Sequence, residues 1–151
     1  MNLVKIFIDY DSFLANLNNI NYDQQYSRQI KNILLGDINT NLSIEILCNE
    51  PKIKKYFIDK EMESFFGVYY DGLIMCPKWF KKIEDKQQEI AWKTTSIINY
   101  KKINNTILKS VETILYCDDD IESLDRVRRN VNNLSTCSMS SLVNYIKQLR
   151  N

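Results

Sequence analysis

Residues 3–11, Leu-Val-Lys-Ile-Phe-Ile-Asp-Tyr-Asp, decide how this chain is read. Six positions, apolar except for Lys5, end abruptly at Asp9, the pattern of a short strand buried on both faces. The same grammar returns at residues 113–120, Thr-Ile-Leu-Tyr-Cys-Asp-Asp-Asp, where an apolar strand runs straight into three carboxylates. Two strands that stop at acids are the skeleton on which the rest of the sequence is placed.

Between and beyond them, strands alternate with helices. Residues 9–21 are polar, with Phe13, Leu14 and Leu17 able to pack back as a turn of helix. Tyr26, Ile30, Ile33 and Leu34 make a helical face within residues 22–35, and Gly36 stops it. Residues 43–48 (SIEILC) form a second strand. Pro51 suits the first turn of a helix that carries Ile53, Tyr56, Phe57 and Met62. Residues 67–76 (GVYYDGLIMC) are aromatic and β-branched and close at Pro77, a third strand. Residues 79–108 are helical, with Ile90, Ile97 and Ile98 toward the core. Residues 113–117 are the fourth strand, 121–131 a helix with Leu124, Val127 and Val131 on one face, 134–137 a short fifth strand, and 140–149 a last helix. This order predicts one α/β domain over residues 1–151: a Rossmann-like three-layer sandwich around a mainly parallel five-stranded sheet.

Composition narrows the chemistry. The 151 residues are 44% hydrophobic and 26% charged, with a net charge of +1, so no overall basic footprint for nucleic acid is present. Histidine is absent, which removes Ser-His-Asp and Cys-His catalysis, histidine-held zinc and a histidine general base. The four cysteines, Cys48, Cys76, Cys117 and Cys137, follow β-rich runs and lack zinc or CxxC spacing, so they read as buried thiols near strand ends. The N-terminus turns acidic within ten residues, unlike a signal peptide, and no apolar run reaches bilayer length. A cytoplasmic protein with no membrane segment is expected.

In parallel α/β sheets, ligands bind beyond the carboxyl ends of the strands. Asp9 and Asp11 after the first strand would meet Asp118 and Asp119 after the fourth if those strands are neighbours. Clustered carboxylates repel unless a cation joins them, and an oxygen-only site suits Mg²⁺. Read as an extended segment, Asp9-x-Asp11 puts both carboxylates on one side. The competing explanation is that these acids merely cap the helices that follow.

FIDYDSFLANL resembles the first motif of haloacid dehalogenase-like phosphohydrolases, a strand ending in Asp-x-Asp, and ILYCDDDIESL resembles their last, a strand ending in paired acids. The resemblance implies a Mg²⁺-dependent phosphomonoesterase: Asp9 the nucleophile that forms an aspartyl-phosphate, Asp11 the general acid/base, and Asp9, Asp11, Asp118 and Asp119 the metal group, with the Asp11 backbone carbonyl as a further ligand. The family's hydroxyl after the second strand falls on Cys48, with Asn49 next. Its lysine before the fourth strand falls best on Lys93, in IAWKTTSII, ahead of Lys101, Lys102 and Lys109. Ser12-Phe13 stands where Gly-Thr is usual. No separate cap domain is inserted, so the expected substrate is bulky, a nucleotide or a nucleic-acid end, unless a second copy of the chain closes the cleft.

Two other classes compete. A metal nuclease of the PIN/NYN type also begins with a strand ending in Asp, and adds an acid on the helix before the late strand; residues 94–109 (TTSIINYKKINNTILK) offer none. A catalytically degenerate binding or assembly protein would explain Cys48 and the missing Gly-Thr. Trp79, Phe80 and Trp92 among lysines, and Arg126, Arg128 and Arg129, read as core aromatics and a solvated helix face.

Overall fold

The computed structural model describes residues 3–17, 42–48, 72–75, 86–107 and 111–150. Within them the elements are β1 (Leu3–Asp9), α1 (Tyr10–Leu17), β2 (Leu42–Cys48), β3 (Gly72–Met75), α2 (Lys86–Ile107), β4 (Val111–Cys117), α3 (Ile121–Asn130), β5 (Leu134–Cys137) and α4 (Leu142–Arg150), with a 3₁₀ turn at Met139–Ser141 before the last helix. The helices expected over residues 22–35 and after Pro51, and most of the third strand, lie outside the described residues.

Among the described residues every strand pairing is parallel, in the order β3-β2-β1-β4-β5. The chain is an α/β fold on a parallel sheet, with β1 in the middle. A central parallel strand loses solvent on both faces, which is why β1 is apolar almost throughout: Ile6, Phe7 and Ile8 are each fully buried. Side chains alternate across the sheet and so divide into two cores. Val4, Ile6, Ile8, Ile44, Ile46, Leu115 and Cys117 pack with Phe13 of α1 and Leu142, Val143 and Ile146 of α4. Phe7, Leu47, Ile114, Tyr116 and Leu134 pack with Ile90 and Ile97 of α2 and Val127 of α3.

Lys5 is the polar interruption in β1, and it is 3% exposed. Its ammonium donates to Ser43 Oγ at 2.7 Å and Glu45 Oε1 at 2.8 Å, both on β2, and lies 4.7 Å from the Tyr100 ring centre. A one-residue slip of β2 would carry both acceptors to the other face, so the buried lysine fixes the β1–β2 register that aligns Asp9 with Leu47. Asn133, between α3 and β5, has φ of 58°, a left-handed conformation that Asn tolerates better than most residues.

Among the described residues no helix is long and apolar enough to cross a membrane. Leu115 is fully buried in the core beneath α1 and α4. Leu115→Ala should therefore lower unfolding free energy by about 2–5 kcal/mol, read as a fall in the urea midpoint with little change in slope.

Candidate active site

β1 and β4 are neighbours, with Ile8 opposite Cys117, so the next residues, Asp9 and Asp118, leave the sheet side by side. Both lie on the α2 face, two residues beyond Phe7 and Tyr116. In an α/β sheet, the helix leading into a parallel strand starts at the carboxyl edge and runs back, so its first turns overlook the strand ends. Lys93, in the second turn of α2, meets both acids. Its ammonium is 2.6 Å from Asp9 Oδ1, 3.2 Å from Asp118 Oδ2 and 2.9 Å from Glu89 Oε1.

These groups are nearly removed from water: Lys93 is 1% exposed, Asp118 2% and Asp9 4%. An isolated charge at such depth is strongly disfavoured, and only close pairing sustains it. Burial alone would lower the Lys93 pKa, but the carboxylates of Asp9, Asp118 and Glu89 outweigh it and hold the ammonium well above the usual lysine range. For Asp118, burial and then the Asp9 charge push the carboxyl above its usual range, against the opposing pull of Lys93 and the hydrogen bonds from Tyr116 and the Asp120 amide.

Ser12 ties the two acids together. Its amide (3.0 Å) and hydroxyl (2.9 Å) reach Asp9 Oδ2. The same Oγ lies 3.3 Å from Asp118 Oδ1 and accepts the Asp119 amide at 2.9 Å. Asp118 Oδ1 also receives the Asp120 amide at 2.9 Å, and its Oδ2 receives the Tyr116 hydroxyl. Asp119, on the opposite side of the extended chain, accepts the Met139 amide at 2.9 Å. Asp120 accepts the Ser123 amide and hydroxyl, and pairs with Lys86 at 2.9 Å.

Helix capping is thus real and partial. Asp9 accepts the third amide of α1 and Asp120 that of α3, both in the N-cap manner. Capping occupies only one oxygen of Asp9, while the other is given to Lys93 at long sequence range. Neither Asp118 nor Asp119 plays that part.

A cleft of about 380 Å³ opens above these groups, lined by Asp9, Asp11, Ser12, Ala15, Glu89, Lys93, Asp118, Asp119, Asp120 and Ser123. Of the expected site residues it gathers Asp9, Asp11, Lys93, Asp118 and Asp119. Two expectations are corrected. α1 begins at Tyr10, so Asp11 is in a helical first turn and exposed rather than on an extended segment with Asp9. Cys48 is wholly buried among Val4, Ile6, Ile44 and Ile46, on the face under α1 and α4, and does not line the cleft. Alternation along β2 sends it there with Ile44 and Ile46. Asn49 lies outside the described residues.

Glu89 was missed, and an acid on this helix with it, because the stretch searched begins at Thr94, toward the far end of α2; the end at the site starts at Lys86. The Glu89–Lys93 spacing of four, early in a helix, was the available sign. Ser12 was legible as the hydroxyl three residues after a capping Asp. Trp92 packs partly buried against the core on the α2 face, while Arg126 pairs with Glu122, and Arg128 and Arg129 with Asp125, along the solvent side of α3.

For Mg²⁺ the fit is one of donor type and charge. The lining holds six carboxylates against one ammonium, and all its side-chain ligands are hard oxygens. As the side chains stand, no group of three acids among the described residues is arranged around an ion position. The inner oxygens of Asp9 and Asp118 face Lys93 instead.

No family model matches the chain, and no curated protein does. Its fold is similar to that of an uncharacterized protein from Corynebacterium glutamicum ATCC 13032, solved by crystallography, with a TM-score of 0.54 and 14% identity over 95% of this chain and 94% of that one. At that identity the similarity is one of fold alone.

Lys93→Met keeps the bulk and leaves the carboxylates facing each other. It should destabilise the protein by about 3–5 kcal/mol near neutral pH, the usual effect of removing one partner of a buried ion pair. The pH dependence has a definite sign. The folded-state pKa of Lys93 is raised, so its stabilisation is complete below the unfolded value and is lost only as pH climbs through the folded one. The raised pKa of Asp118 is a cost above that value, relieved as pH falls. Without Lys93 that cost grows, so the stability gap between wild type and Lys93→Met should be wider at about pH 8 than at about pH 5. Urea midpoints at the two pH values measure it, and a gap that widens on acidification would contradict this electrostatic account.

Proposed function

We propose that this protein is a Mg²⁺-dependent phosphomonoesterase of the haloacid dehalogenase-like kind, acting through an aspartyl-phosphate at Asp9. The observation that carries the reading is the Lys93 ammonium seated between Asp9 and Asp118 at 2.6 and 3.2 Å. A strand-end nucleophile, a strand-end acid from the neighbouring strand and a lysine from the helix before it are the parts such a reaction requires. The two cores on either side of the sheet support the finer architecture of this reading, a Rossmann-like three-layer sandwich on five parallel strands without a cap.

In this mechanism an Asp9 carboxylate oxygen attacks phosphorus as the bond to the leaving oxygen breaks. Asp11, exposed at the cleft, supplies the proton to the departing alkoxide. It then takes a proton from the water that attacks the aspartyl-phosphate, releasing inorganic phosphate and restoring Asp9. Ser12 holds Asp9 in place, and Lys93 offsets charge on the phosphoryl oxygens. Bound Mg²⁺, held by Asp9, Asp118 and Asp119, would supply the positive charge that a phosphate dianion needs among so many carboxylates. An open, capless cleft suits a nucleotide or a nucleic-acid terminal phosphate. Cys117 and Cys137, buried as thiols outside any disulfide, suit work in the reducing cytoplasm.

Glu89 favours a second reading, a PIN/NYN-type metal nuclease, because it provides the acid on the helix before β4 that such an enzyme uses. The two are separated by assaying an aryl phosphate, a nucleotide panel and single-stranded RNA, with Mg²⁺ and with EDTA. The phosphomonoesterase should release phosphate only with Mg²⁺, and Asp9→Asn should reduce kcat by at least about a thousandfold, the scale on which loss of a covalent nucleophile is felt. Internal cleavage of RNA without phosphate release would instead select the nuclease.

A further inference from the structure

Three sulfur atoms meet on the opposite face of the sheet from Lys93, and the proposed reaction uses none of them. Cys117 closes β4, Cys137 closes β5, and the two are register partners on adjacent parallel strands. Neighbouring strands lie about 4.8 Å apart, and both side chains enter the core under α1 and α4. The two thiols therefore stand side by side, in hydrogen-bond contact. In the 3₁₀ turn that follows, Met139 brings its thioether to the same place, and the Cys117 thiol donates to Met139 Sδ at 3.3 Å.

Sulfur in a core is most often packing, but this group has the attributes of a ligand set. Its donors come from three elements, and the backbone that carries them is tied down. The Asp118 amide donates to the Cys137 carbonyl at 3.1 Å, and the Met139 amide to Asp119 Oδ1 at 2.9 Å. Cys117 and Met139 are fully buried, while Cys137 is 8% exposed, which gives an ion its way in.

The donor types select the ion. Thiolate and thioether are soft ligands that suit Cu(I). Zn²⁺ asks for a fourth ligand, and among the described residues no third cysteine or acid completes a metal group with this pair. Mg²⁺ takes oxygen. We infer that Cys117, Cys137 and Met139 form a three-coordinate binding site for Cu(I), separate from the acid cleft. Metal–sulfur bonds of about 2.3 Å put the sulfurs of a trigonal site about 4 Å apart, so Cys117 and Met139 need to part by less than about 1 Å. The entering ion replaces the two thiol protons, which pass to solvent. The site is independent of the phosphomonoesterase reading.

The probe is Cu(I) itself, titrated without oxygen against a chromogenic Cu(I) chelator into the whole chain as wild type, Met139→Leu, Cys137→Ala and Cys48→Ala. Leucine keeps most of the bulk of methionine. Cys48 is on β2, two strands from β4 and so roughly 10 Å from Cys117, and serves as the control for thiols outside the group. Wild type and Cys48→Ala should each bind one Cu(I) with the same affinity, in the presence of excess Mg²⁺ as in its absence. Binding should be at least about tenfold weaker in Met139→Leu and at least about a hundredfold weaker in Cys137→Ala, since a lost ligand costs no less than a lost neighbour of one. Loading should raise the melting temperature of wild type, as binding to the folded state requires. Equal affinity in wild type and Met139→Leu would overturn the site, leaving only ordinary thiol chemistry. Equal weakening in Cys48→Ala would overturn it in favour of scattered thiols, and a melting temperature lowered by copper in favour of the unfolded chain. Circular dichroism shows whether each variant is folded; if Cys137→Ala is not, Met139→Leu decides.

Discussion

The buried ammonium of Lys93 is what permits the rest of the site to exist. Asp9 and Asp118 emerge from adjacent strands of the sheet centre and would otherwise face each other, nearly dry, as like charges. Lys93, reaching in from α2, turns that repulsion into a paired cluster. The pairing needs the β1–β4 register to put the acids level, and it needs the core on the α2 face, with Ile90 and Ile97, to hold the helix at the correct height. Sheet, helix and site are therefore one cooperative arrangement. Hydrophobic packing sets the positions, and a handful of charged contacts make those positions tolerable.

A second constraint runs through Ser12. By donating from amide and hydroxyl to Asp9 while accepting from the Asp119 amide, it couples the start of α1 to the turn after β4. Asp9 consequently serves two ends, as the cap of α1 and as the partner of Lys93. This explains how a residue that looks like an ordinary helix cap can also belong to a buried ion pair. The two roles use different oxygens and do not compete.

Much of this was written into the sequence where a local rule and the global fold agree. The apolar run of β1 ending at Asp9 and the acid-terminated β4 follow from strand length and alternation, while the choice of Lys93 over Lys101 and Lys102 came from the resemblance, which asks for a lysine before the fourth strand. Lys101 instead reaches the Asn132 carbonyl. What was not legible depended on one local detail at a time. Helix α1 begins a residue after β1 stops, which rotates Asp11 away from an extended geometry. Cys48 shares a face with Ile44 and Ile46, so it was a core residue by the same alternation that identified the strand. Glu89 lay outside the stretch searched for an acid, although the helix direction places its N-terminal turns at the strand ends.

The central claim, that Asp9 becomes phosphorylated, is tested most directly by acid-quenching the protein during turnover of an aryl phosphate with Mg²⁺ and locating any covalent phosphate by peptide mass spectrometry. The account predicts a phosphoryl group on the peptide containing Asp9, labile to hydroxylamine and absent from Asp9→Asn. Steady turnover with no protein-bound phosphate at any quench time would contradict it and assign these carboxylates to the activation of water.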